Sequence, residues 1–171
     1  MSKSEEDPLG LFGPATGKTW EWNKVVHGLG EICIEFQILE TVVKAGIGEL
    51  AAKDDRVMGS VITAELSFKQ SIDLLYALFE DRWEGSTRPK ELKPILGRCI
   101  KASEKRNQMV HSSWYEPTKT HGIRRIKFRA RNQKGLSVQH QVVTPDDIGK
   151  IADELRTCRK ELASYLYNLS Q

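Results

Sequence analysis

Near the middle of the chain, Arg106, Asn107 and His111 stand in the run Arg106-Asn107-Gln108-Met109-Val110-His111, followed at once by Ser112-Ser113-Trp114-Tyr115. An arginine that keeps its charge can grip a phosphate, an amide can orient a neighbour, and an imidazole can move protons. Together they form a set able to handle a phosphodiester. On an ideal helix, Asn107 and His111 are four apart and share a face. Arg106 and His111 are five apart and diverge by well over a right angle. Convergence of those two calls for a long arginine arm or a second chain.

The elements around this run must position it. The spacing of Val25, Leu29, Ile32, Phe36, Leu39, Val43, Ile47 and Leu50 predicts a helix from about Trp20 to Leu50. Ile34, Ile38 and Val42 widen its stripe, as expected of a central helix with neighbours on two sides. Gly28 and Gly30 mark a late start or a kink. A second helix is expected from about Gly59 to Trp83, with Val61, Phe68, Ile72, Leu75 and Phe79 inward and Glu65 at the stripe's edge. A third is expected from about Pro89 to His111 or slightly beyond, ended by Glu116-Pro117-Thr118. Pro89 suits its first turn, whereas Pro94 delays or bends it. Arg106 falls there in a line with Cys99, Ala102, Met109 and Ser113, an expensive place for a cation without a polar or anionic partner.

Two alternating segments follow. Ile126, Phe128 and Ala130 face one way, and Arg125, Lys127, Arg129 and Arg131 the other. After a turn at Asn132-Gln133-Lys134-Gly135, Leu136, Val138, His140 and Val142 alternate with polar residues. A two-stranded hairpin with one apolar face is too small to stand alone and must lean on the helices. Thr144, Pro145, Asp146 and Asp147 then announce a last helix. Its seam is Ile148, Ile151, Leu155, Cys158, Leu162, Tyr165 and Leu169. The fold expected is mainly α: an up-and-down bundle of about four helices with a two-stranded β-hairpin inserted before the last. Residues 1–18 are expected to be a flexible arm and 19–171 a single domain.

The chain has 171 residues, 39% apolar and 29% charged, with a net charge of +3. These values suit a soluble globular protein, and the charge by itself does not argue for nucleic acid. Three scattered cysteines, Cys33, Cys99 and Cys158, argue against a disulfide framework and fit a reducing cytoplasm, with apolar filling as their role. No apolar run reaches membrane-span length, and the acidic, Pro/Gly-broken start is not a signal peptide. Gly13-Pro-Ala-Thr-Gly17-Lys18-Thr19 invites a phosphate-loop reading but leaves three residues, not four, before its Gly-Lys pair, and no apolar strand precedes it. His27, His121 and His140 show no ligand spacing, so neither metal nor cofactor is expected.

The run Arg106, Asn107, His111 resembles the Arg-Asn-x-x-x-His signature of the HEPN superfamily, small helical domains that include many metal-independent ribonucleases. The helical order from about Trp20 to Leu169 is similar in architecture. The resemblance implies a homodimer with the motifs facing across a two-fold axis, and cleavage of RNA by its own 2′-hydroxyl, in defence or stress. His111 would move the protons, Arg106 would hold the phosphate, and Asn107 would orient His111 or bind a phosphate oxygen. DNA lacks the attacking hydroxyl, so RNA is the expected partner. The alternative within the family is a domain that binds RNA, a nucleotide or a protein without cutting. A third reading is a helical interaction protein whose Arg106 pairs with a buried carboxylate. Some members carry a tyrosine two residues after the histidine, modified by an antitoxin partner. Here that position is Ser113 and the nearest tyrosine is Tyr115, a departure that argues against an antitoxin of that modifying type and leaves another regulatory or antitoxin protein as an open partner. Arg124, Arg125, Lys127, Arg129 and Arg131 form a strip that either tracks an RNA backbone or keeps an edge strand soluble. Trp114 and Tyr115 either stack on bases or pack into the core.

Overall fold

The computed structural model describes residues 20–52, 56–115, 123–131 and 135–168, with the backbone alone at 56–57, 127–131, 135–138 and 140. The expected arm at 1–18, the Gly13–Thr19 motif, Glu116-Pro117-Thr118 and the turn residues 132–134 lie outside the described residues.

Five helices and three strands follow one another among the described residues: α1 (Trp20–Ala52), α2 (Arg56–Ile62), α3 (Phe68–Arg82), α4 (Arg88–Val110), β1 (Ser113–Tyr115), β2 (Arg124–Arg131), β3 (Gly135–Val142) and α5 (Pro145–Tyr167). The protein is mainly helical with a small antiparallel sheet. The expected bundle is therefore present with five helices rather than four, and its hairpin is the larger part of a three-stranded sheet ordered β1-β2-β3.

Helix α1 is the centre. Val25, Ile32, Phe36, Leu39, Val43 and Ile47 recur every three to four residues and are buried along one side. The helix runs through Gly28 and Gly30 without a break. Gly28 is small for a reason: a Cβ there would sit 2.7 Å from Cγ2 of Ile148, so α5 approaches at that point. The widened stripe is used only in part: Val42 packs against the core, whereas Ile34 is 62% exposed and Ile38 also faces solvent. Glu35 ties α1 to α5 by accepting from Arg156 Nε at 2.9 Å and Arg159 Nε at 3.1 Å.

The stretch expected to be one helix from Gly59 to Trp83 is two. Ser67 and Gln70 form a reciprocal capping box: the Ser67 backbone N–H donates to Gln70 Oε1 at 2.8 Å, and the Gln70 N–H to Ser67 Oγ at 3.4 Å. That cap starts α3 afresh, leaving Glu65 exposed in the connection and Val61 63% exposed on α2. Ile72, Leu75 and Phe79 of α3 do point into the core. Gly85 (φ 77°) takes the left-handed turn between α3 and α4. Helix α4 contains Pro94 and ends at Val110, earlier than expected, because the chain turns into β1.

β1 pairs with β2 through Ser113↔Ile126 and Tyr115↔Arg124, and β2 with β3 from Arg124↔Val142 to Arg131↔Gly135. Ile123, Ile126 and Val143 are buried, which seats the base of the sheet beside the helices. Helix α5 begins as its sequence signals, with Thr144 and Asp147 in a capping box and Pro145 in the first turn. Ile148, Ile151, Leu155, Cys158 and Leu162 are its buried seam.

Candidate functional site

The end of α4 is held by an unusual number of side-chain donors. The last carbonyls of a helix lack intrahelical partners. Here Trp114 Nε1 donates to the Met109 carbonyl at 2.9 Å, Ser112 Oγ to that of Gln108 at 2.5 Å, and the His111 N–H to that of Asn107 at 3.1 Å. Arg125, reaching in from β2, donates from NH1 to the Gln108 carbonyl at 3.1 Å and to Met109 Sδ at 3.4 Å. Its NH2 hydrogen bonds Gln141 Oε1 on β3. A cation at this negative helix end is favourable.

This corrects the expected place of Arg125. It is 8% exposed and binds the protein itself, so it is not an open phosphate contact. Burial lowers its pKa from the usual arginine value. The alternation of β2 predicts two faces but not that a part of the polar one is covered by the helix end. Trp114 is likewise half-buried, packs against the core and spends its N–H on the Met109 carbonyl, which fits core packing rather than base stacking. Arg124 and Tyr115 are half-buried on the same small sheet. The side chains of Lys127, Arg129 and Arg131 lie outside the described residues, and so does their part of the basic strip.

Arg106 is positioned from two sides. Its guanidinium carbon stands 4.5 Å from the centre of the Phe36 ring, a cation–π distance, and Phe36 in turn packs on Phe68 at 5.0 Å. Its NH1 donates to Asn107 Oδ1 at 2.9 Å. Asn107 therefore orients the arginine, where its spacing suggested the histidine. Nε of Arg106 is buried with no hydrogen-bond partner. Among the described residues no carboxylate pairs with Arg106.

His111 is exposed and sits just past the helix, with φ −95° and ψ 22°. Its N–H still makes the helical bond to the Asn107 carbonyl, and the chain leaves the helix after it. The structure joins Arg106 to Asn107 directly and His111 to Asn107 through the backbone. No side-chain hydrogen bond links Arg106 and His111 within one chain among the described residues.

Phe36 and Gln141 are the positions the motif did not announce. Phe36 lies on an apolar stripe 70 positions away, and an aromatic there signals only core. Among the described residues, no group of three or more His, Cys, Asp or Glu could hold a metal, and no helix is long and apolar enough to cross a membrane.

What fold and site define together is a mainly helical bundle with a small antiparallel sheet, whose fourth helix ends in an arginine–amide–histidine set. Comparison with family models, curated proteins and solved structures found no match.

Proposed function

We propose that the protein is a HEPN-type, metal-independent endoribonuclease that cleaves RNA through its 2′-hydroxyl and works as a homodimer. The observation that carries this reading is Arg106: a guanidinium set on an aromatic platform, oriented by Asn107, with a buried Nε and no carboxylate partner among the described residues. A half-buried cation without a counter-ion has unmet demand for an anion. A phosphate meets that demand through charge-assisted hydrogen bonds.

In the proposed reaction, Arg106 holds the scissile phosphate and stabilises the charge that grows on it in the transition state. His111 takes the proton of the 2′-hydroxyl or gives one to the departing 5′-oxygen. One imidazole does not readily do both in a single step. A second copy, facing the first across a two-fold axis, supplies the other proton carrier and closes the gap between Arg106 and His111. The exposure of His111 supports this reading over a purely structural role.

The test is cleavage of RNA by the dimeric protein in chelator, with Arg106→Ala and His111→Ala beside the wild type. Each substitution is expected to cut the rate by about a hundredfold or more. Equal activity in wild type and His111→Ala, or none in any of them, sinks the catalytic reading. RNA retained by the wild type but not by Arg106→Ala, with no cleavage in either, would establish the non-catalytic binding alternative instead.

A further inference from the structure

Helices α4 and α5 run antiparallel, and two ion pairs set their register. Arg98 donates to Glu161 Oε2 from Nε at 3.1 Å and NH2 at 2.9 Å, and Lys105 Nζ to Glu154 Oε1 at 2.6 Å. In that register Cys99 and Cys158 fall within about two residues of the same level, or ~3 Å along the axes. Cys99 is fully buried and Cys158 is 5% exposed. The two thiols are near enough for each to shift the ionisation of the other. Cys158 also lines a groove of about 610 Å³ between the two helices, together with Ala102, Thr157, Lys101 and Lys150. Cys158 thus borders the groove, while Cys99 is enclosed in the core.

We propose that Cys158 and Cys99 form a peroxide-modifiable thiol pair, in which Cys158 is oxidised from the groove and Cys99 converts it to a disulfide bridging α4 and α5. The Cys158 thiolate attacks one peroxide oxygen. The S–O bond forms as the O–O bond breaks, and the departing hydroxide takes up a proton to become water. The Cys99 sulfur then attacks the Cys158 sulfenic acid. The S–S bond forms, the S–O bond breaks, and the leaving hydroxide accepts the Cys99 proton as a second water. Two thiols lose two electrons, and one peroxide becomes two waters.

The electrostatics divide the two roles. The interaction with Cys99 holds the Cys158 thiol below its usual pKa against the opposing effect of burial; Glu161 and Glu154 also oppose it, and Arg98 favours it. The contact with Cys158 and burial push Cys99 up. The thiol held lower thus belongs to the residue that lines the groove, the arrangement that favours peroxide attack there. Cys33, on α1, is the third thiol and the internal control. The inference is independent of the ribonuclease reading.

The test is hydrogen peroxide titration of the native full chain, read by intact mass, thiol counting and peptide mapping. The wild type is expected to lose about 2 Da as a 99–158 disulfide forms, reversibly with dithiothreitol, leaving one titratable thiol at Cys33. Cys158→Ser should form no bridge, and Cys99→Ser should accumulate a sulfenic acid at Cys158 that dimedone traps. Modification confined to Cys33, or irreversible oxidation of Cys158 without a bridge, overturns the proposal. The wild-type map stands without the variants, should either serine disturb the core.

Discussion

At the scale of single residues, the feature that sets Arg106 apart is what surrounds it. Lysines and arginines at Arg98, Lys105, Arg156 and Arg159 each meet a carboxylate. Arg106 meets an aromatic face and an amide. A planar guanidinium can meet a ring and still present several N–H donors to a phosphate in a fixed fork, which an ammonium does not, so lysine is not an equivalent replacement. Phe36→Leu tests the platform. It keeps an apolar side chain but removes both the cation–π contact and the ring contact with Phe68, at a cost in stability of about 1–2 kcal/mol. If the site cuts RNA, the same change should slow cleavage about tenfold with little effect on thermal midpoint beyond that loss. Paired rate and melting measurements separate the two, and an unchanged rate would mean that Phe36 does not set the arginine. How far these roles are legible in the sequence differs by residue. Arg106, Asn107 and His111 can be picked out as a candidate set by type and spacing. Phe36 cannot, because its partner is 70 positions away, and Arg125 misleads, because strand alternation is blind to the helix end that covers it.

At the scale of elements, local signals and tertiary contacts divide the fold between them. The last helix is fully legible: Thr144 as cap, Pro145 in the first turn and a seam of apolar residues all agree. Replacing Thr144 by Ala should cost about 1 kcal/mol at neutral pH, measured by thermal or denaturant melting. Hydrogen bonds from Thr144 hold the Asp147 carboxyl below its usual pKa. A depressed folded-state pKa gives stability that is present above the unfolded carboxylate range and lost as pH falls through the folded value. The wild-type advantage over Thr144→Ala should therefore shrink on acidification below about pH 4. The break between α2 and α3 was also written locally, in Ser67-x-x-Gln70, but apolar periodicity alone runs straight across it. β1 is too short to show any period, and only pairing with β2 makes it a strand. The docking of α2 is a packing effect: a Cβ on Gly59 would lie 1.9 Å from the Lys44 carbonyl oxygen and 2.8 Å from the Gly48 nitrogen. Gly59→Ala should thus destabilise by about 3 kcal/mol, the cost of forcing atoms into a filled contact. Gly97→Ala, where nothing lies within 4 Å, should instead stabilise α4 by up to about 1 kcal/mol. Chemical denaturation of the two variants checks both signs.

At the scale of the molecule, the helices that pack most extensively, α1 and α5, are the first and last described elements. The Glu35 contacts with Arg156 and Arg159 link positions 121 and 124 residues apart, and Ile148 fills the space opposite Gly28. The consequence is temporal. During synthesis α1 emerges well before α5, and the residues between them must be made before its main partner arrives. Ribosome-bound chains halted before Pro145 should remain protease-sensitive across α1, and protection should rise in one step once α5 clears the exit tunnel. Until then the long central helix is the segment a chaperone would find.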